Sequence, residues 1–149
     1  MNPNQFSSFL RANWNLLNGR YHFPKERIGE HMEVDGQDFT IFRQMFVDAE
    51  DTADPEVVFK VRFHVENMSP DINKIFSLFT IPFFSGLPGF RSKLWLLDET
   101  TGDNMGIYEW ATAEDAEFYS RSFAMHFMTG RSTPGSAQFE IVPGGVGIR

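Results

Sequence analysis

The stretch Val57-Val58-Phe59-Lys60-Val61-Arg62-Phe63-His64-Val65 decides the fold. Val57, Phe59, Val61, Phe63 and Val65 alternate with Val58, Lys60, Arg62 and His64. A period of two gives a strand with one apolar and one mostly polar face. Downstream, Ser69-Pro70-Asp71 supplies an N-cap, a proline at the first helical position and an early carboxylate. Ile72, Ile75, Phe76 and Phe79 follow at helical spacing and predict a helix to about Pro82. Gly86-Leu87-Pro88-Gly89 breaks the chain, and Phe90–Leu97 and Met105–Ala111 then flank a turn-rich segment as the arms of a hairpin would. Thr112, three residues before Asp115, marks the start of a second helix, with Glu117 placed four residues before Arg121 on its surface. That helix is predicted to run about four turns to Met128. Ala137–Val142 reads as a closing strand. The order β-α-β-β-α-β is that of a ferredoxin-like α+β fold, an antiparallel sheet carrying both helices on one face.

Upstream of this body, Phe6, Phe9, Leu10, Trp14 and Leu17 recur at spacings of three and four, which predicts an amphipathic helix over residues 4–18, ending near Gly19. Residues 20–38 show no clean period, and Phe39–Val47 reads as a strand. The acidic connection Asp48–Glu56 divides an N-terminal extension, residues 1–50, from the main domain, residues 51–149. Strands joined by so short a connection usually pair as antiparallel neighbours, so Phe39–Val47 is expected beside Val57–Val65 as a fifth strand. So apolar a sheet would leave its second face uncovered, and a homodimer is the expected cover.

The chain has 149 residues, the size of one domain, and a net charge of −7, the wrong sign for neutralising nucleic-acid phosphates. It has no cysteine, which excludes disulfides, thiolate metal sites and cysteine nucleophiles. No basic, then apolar leader and no membrane-length apolar run is visible, so a cytoplasmic protein without membrane contact is expected. Glu26, Glu30, His31 and Glu33 match no familiar metal cage, and neither a phosphate-binding glycine motif nor a serine-nucleophile motif occurs. No metal site is expected.

The segment Pro88-Gly89-Phe90, Lys93 and Trp95 in the strand that follows, and Gly106-Ile107-Tyr108 before an acidic helix start resemble the YdhR-type mono-oxygenase family. That family lies in the dimeric α/β-barrel group that includes antibiotic-biosynthesis monooxygenases. The resemblance spans residues 56–142 and has no counterpart in residues 1–50. It implies a dimeric α/β barrel with a ligand cavity between helices and sheet.

Three groups of residues then bear on chemistry. His64, with Arg62 and Glu66 on the same side of the strand, is a candidate base toward an acidic phenol or enol, because imidazole changes charge near neutral pH. A surface or interface histidine is the alternative. Lys93 and Trp95 alternate on one strand face and Tyr108 and Trp110 on another; if the hairpin register joins them, they form an aromatic surface with a cation at its edge. Packing in the core is the competing role for the two tryptophans. Tyr119, Phe123, His126 and Phe127 form one stripe if the second helix is continuous. His126 invites comparison with the axial histidine of haem-degrading members of the group, with a core histidine as the plainer alternative.

These readings combine into a small-molecule monooxygenase that needs no cofactor and acts on an aromatic or polyketide-like substrate. His64 would be the base and Lys93 or Arg62 would stabilise the anion. Trp95, Tyr108, Trp110, Tyr119, Phe123 and His126 would contact the substrate. A non-catalytic ligand-binding or regulatory dimer, and a cyclase, isomerase or decarboxylase using the same pocket, stay open beside it.

Overall fold

The alternating segment forms strand β4 (Val57–His64), and a computed structural model describing residues 3–49, 53–66 and 68–145 shows what surrounds it. In chain order the other elements are α1 (Pro3–Leu17), β1 (Tyr21–His22), β2 (His31–Val34), β3 (Gln37–Val47), α2 (Pro70–Leu78), α3 (Ile81–Phe84), β5 (Phe90–Leu97), β6 (Asp103–Trp110), α4 (Ala113–Ser120), α5 (Phe123–Arg131) and β7 (Gln138–Pro143). From β4 onward the order is that of the ferredoxin-like α+β fold, with α2 and α4 each extended by a further short helix. The strands form one antiparallel sheet in the spatial order β1-β3-β5-β6-β4-β7, with β2 folded back on β3.

The extension joins the sheet at a different place from the one its chain position suggests. β3 pairs with β5, Met45 opposite Lys93 and Phe46 opposite Ser92, and not with β4. Both edges of β4 are occupied, by β6 (Phe59 opposite Tyr108) and by β7 (Phe59 opposite Ile141). A central strand has no free backbone donors for a third neighbour, so β3 takes the open edge at β5.

Period two sorts the side chains into two cores. Val57, Phe59 and Val61 join Trp95, Tyr108 and Trp110 beneath Phe84, Tyr119, Met125 and Met128 from the helices. On the opposite face Val58, Leu94, Leu96, Met105 and Ile107 pack with Val34, Phe39 and Ile41. The N-terminal strands thus bury the apolar part of the second face within the single chain, which removes the reason the sequence offered for a dimer across that face.

Both predicted long helices are broken. Pro82 has no N–H to give the Leu78 carbonyl, so α2 stops at Leu78 and α3 restarts at Ile81. At Ser122 the backbone is extended and the hydroxyl accepts the Met125 N–H, which ends α4 and begins α5 in a new direction. The anticipated caps at Ser69 and Thr112 do form, accepting from the N–H groups of Ile72 and Asp115. Helix α1 buries Ser8, Ala12 and Asn15 and leaves Phe6, Leu10, Trp14 and Leu17 exposed. Gly86 allows this close approach, since a Cβ there would overlap the Ser8 carbonyl.

Candidate functional site

The β5–β6 register places Lys93 opposite Tyr108 and Trp95 opposite Gly106, all on the helix-covered face. The predicted aromatic surface therefore exists, with the cation inside it. Lys93 is 5% exposed, and its Nζ lies 4.6 Å from the ring centre of Phe84 and 4.4 Å from those of Trp95 and Tyr108. Gly106 makes room, because a Cβ there would stand 2.8 Å from Tyr108 Cε1 and 3.4 Å from Lys93 Cε. Above Lys93 is a cavity of about 30 Å³, lined on the sheet side by Lys93, Trp95, Gly106 and Tyr108 and on the helix side by Asn73, Tyr119, Met128 and Arg131. That volume holds about one water molecule.

Among the described residues no Asp or Glu lines this cavity, and Lys93 has no hydrogen-bond or ion-pair partner. Burial pushes the Lys93 ammonium well below the ordinary lysine value, and the positive charges of Arg43 and Arg131 push it further down. The three ring faces oppose this, each cation–π contact contributing about 0.5–2 kcal/mol. Stripping an ammonium of water with no anion beside it costs several kcal/mol, and two neighbouring guanidiniums add to that cost. Burial and the two guanidiniums thus favour the neutral amine of Lys93, and no carboxylate lines the cavity to favour the ammonium.

Tyr119 donates to the Tyr108 hydroxyl at 2.8 Å, which leaves the Tyr108 proton free to donate into the cavity. Burial raises both phenols above their ordinary range, so both are neutral donors. The Trp95 Nε1, Asn73 Oδ1 and Arg131 Nε and Nη1 atoms are buried without hydrogen-bond partners. The site thus combines one amine, a phenol pair and several unpaired polar atoms within aromatic walls.

Other predicted site residues lie elsewhere. His64 is outside the cavity, its Nδ1 3.0 Å from Asp103 Oδ1, in a groove beside Glu66, Pro70 and Gly102. Asn73 and Asn104 line both spaces, and their 2.9 Å hydrogen bond separates them. Arg62 points to the opposite face of the sheet, where it donates to Gln37 and Gln138. The period of two in β4 dictates this, since Val61 and Phe63 face the helices and Arg62 and His64 do not. Trp110 is fully buried and stacks on Tyr119 at 5.1 Å, away from the cavity. Phe123 and His126 sit on the outer side of α5, because the break at Ser122 turns them away from the Tyr119 stripe.

Arg131 and Asn73 carry no sequence signal of their own. Arg131 ends a helix and Asn73 is a polar residue within one; only the tertiary fold brings them over Lys93. Helix α2, which closes the cavity, buries Asn73 alone and leaves Ile72, Ile75 and Phe79 exposed. Arg43 fastens it from β3, donating to Ser77 Oγ at 2.7 Å and to the Lys74 carbonyl at 2.9 Å.

The chain is an α+β protein of ferredoxin-like fold with a cavity between sheet and helices, and solved structures share that fold. A haem-degrading enzyme from Listeria monocytogenes superposes with a TM-score of 0.55 at 14% identity, over 73% of this chain and 72% of that one. A ferredoxin-fold protein related to antibiotic biosynthesis monooxygenases, from the same species, gives 0.52 at 14% identity over 77% and 69%. An anthrone oxidase-like protein gives 0.51 at 16% identity over 72% of this chain and 54% of that one. No protein-family model and no curated protein matches the sequence. At these identities the likeness is one of fold.

Haem, which the first of these structures brings to mind, does not fit the residues here. None of the four histidines lines the cavity, so no imidazole is placed to ligate iron there.

Proposed function

We propose that the protein is a small-molecule monooxygenase that works without a cofactor on an aromatic or polyketide-like substrate. Lys93, and not His64, is the base in this reading. The single observation that carries it is the unpaired Lys93 amine, set in an aromatic-walled cavity with no carboxylate. The amine takes a proton from an acidic carbon or hydroxyl of the substrate. The ammonium so formed and the Tyr108 hydroxyl then hold the anion. An electron-rich anion of this kind is itself the reductant of dioxygen. For an anthrone-like methylene the balance is CH₂ + O₂ → C=O + H₂O, with no further reductant required.

The resemblance of residues 56–142 to the YdhR-type family supports this reading, as does the fold shared with monooxygenase-related structures. A cavity of about 30 Å³ is too small for an aromatic substrate, so substrate entry in this reading requires displacement of α2. A homodimer belongs to the same proposal. Its contact surface would be the exposed apolar residues of α1 and α2, because the second face of the sheet is already covered. A cytoplasmic location fits oxygen chemistry on small metabolites, and no helix among the described residues is long and apolar enough to cross a membrane.

Oxygen-electrode assays with anthrone and hydroquinone substrates test the function. The expected result is protein-dependent oxygen uptake that falls at least a hundredfold in Lys93→Met and stays within a few fold in His64→Ala. Saturable binding with no oxygen uptake would favour a ligand-binding protein. Conversion without oxygen would favour the isomerase or decarboxylase reading.

A further inference from the structure

Arg131 is placed differently from a surface arginine. Its guanidinium lies over Phe127 at 5.1 Å and Phe76 at 5.7 Å, it lines the Lys93 cavity, and its Nε and Nη1 are buried with no acceptor. Arginine N–H groups in such a place are costly to leave unpaired, and their fork geometry matches a carboxylate. Among the described residues the cavity is lined by Lys93 and Arg131 and by no carboxylate, although the whole chain has a net charge of −7.

We propose that the substrate carries a permanent carboxylate, seated on the Arg131 guanidinium, with its ring or acyl body lying against Trp95 and Tyr108. The substrate class is thus an aromatic or polyketide-like carboxylic acid in place of a neutral phenol. This rests on the cavity being the substrate site and not on the oxygen chemistry. The groups facing Lys93 are Arg43 from β3, Arg131 from α5 and Tyr108, hydrogen-bonded to Tyr119, from β6 and α4. None is an anion, so an arriving carboxylate becomes the first counter-ion Lys93 meets.

Isothermal titration of the full chain with benzoate and its neutral isostere benzamide, at pH 8, tests this. Benzoate is expected to bind at least tenfold more tightly than benzamide. Arg131→Gln should lower benzoate affinity tenfold or more, with partial recovery in Arg131→Lys, while Arg62→Gln on the other sheet face leaves it unchanged. Each variant is first checked for an intact cooperative melt. Equal binding of the two probes, binding insensitive to Arg131→Gln, or no saturable benzoate binding up to about 10 mM overturns the proposal. Oxygen uptake with neutral anthrone and no benzoate binding would remove the carboxylate site and leave the monooxygenase reading intact. Benzoate binding without oxygen uptake from any substrate would do the reverse.

Discussion

Lys93 and Tyr108 face each other as register partners on β5 and β6, the lysine nitrogen 4.4 Å from the tyrosine ring centre and Gly106 beside them leaving space for both. This pairing puts an amine where a strand core normally holds a hydrocarbon. Its consequences for stability and chemistry can be separated by experiment.

The first consequence is a pH-dependent cost. Lys93 is held below its unfolded value, so between its folded pKa and about 10.4 the unfolded chain binds more protons than the folded one. Stability therefore rises with pH across that window. The cost of Lys93 is absent at the top of the window, grows as pH falls, and is constant below the folded pKa. Replacing Lys93 with Met should raise the melting temperature at pH 7, with the gain shrinking as pH approaches 10. Thermal melts of both proteins across this range measure it, and a gap that widens toward high pH would carry the wrong sign.

Gly106→Ala places a methyl group 2.8 Å from Tyr108 Cε1 and 3.3 Å from its hydroxyl. Overpacking of this kind costs about 1–3 kcal/mol, and here it also displaces the Tyr108 donor from the cavity. Denaturant unfolding should show the loss. Any oxygen uptake or ligand binding should fall by more than the same destabilisation produces when introduced far from the site.

Helix α2 is attached by polar contacts, with Asn73 its only buried residue and Arg43 bound to Ser77 and Lys74. Arg43→Met should therefore accelerate amide hydrogen exchange over residues 70–78 at least tenfold while leaving β4 and β6 protected. Uniform change across the sheet would show that Arg43 supports the whole fold and not this helix.

The body of the fold was legible because its signals are local. The alternation in Val57–His64, the caps at Ser69 and Thr112, and the hairpin of β5 and β6 each act within a few residues. The β2–β3 hairpin was equally legible in principle. Asp35-Gly36, with φ of 51° and 80°, joins Val34 to Gln37, and an Asp-Gly pair is among the strongest two-residue hairpin signals. It was obscured because residues 20–38 lack apolar periodicity. The pairing of β3 with β5 was not local, since it depends on β7 reaching the other edge of β4. The site followed the same division. Lys93, Trp95 and Tyr108 share a face that period two predicts, and Tyr119 comes from the last turn of α4. Arg131 and Asn73 were invisible because their importance comes from the tertiary fold, which brings them over a lysine distant in sequence. His64 lies outside the cavity because its strand phase turns it from the helices.

The exposed stripe Phe6, Leu10, Trp14 and Leu17 on α1 gives the proposed dimer a defined surface. Light scattering at micromolar concentration should give twice the 17.1 kDa chain mass. Leu10→Glu with Trp14→Glu should shift it to the single-chain value without lowering the melting temperature measured on the monomer. A wild-type chain already monomeric would remove the dimer from the account and leave the cavity chemistry untouched.

The central claim is that Lys93 is a free amine facing the cavity, and the chain has only four lysines: Lys25, Lys60, Lys74 and Lys93. An NMR titration of lysine side chains labelled with carbon-13 at Cε follows each one separately, with Lys93→Arg assigning the signal. The account predicts that the Lys93 signal titrates well below the ordinary lysine value of about 10.4 and moves up when benzoate is added. A Lys93 signal that titrates at the ordinary value or above, or stays charged to the highest pH, would contradict it.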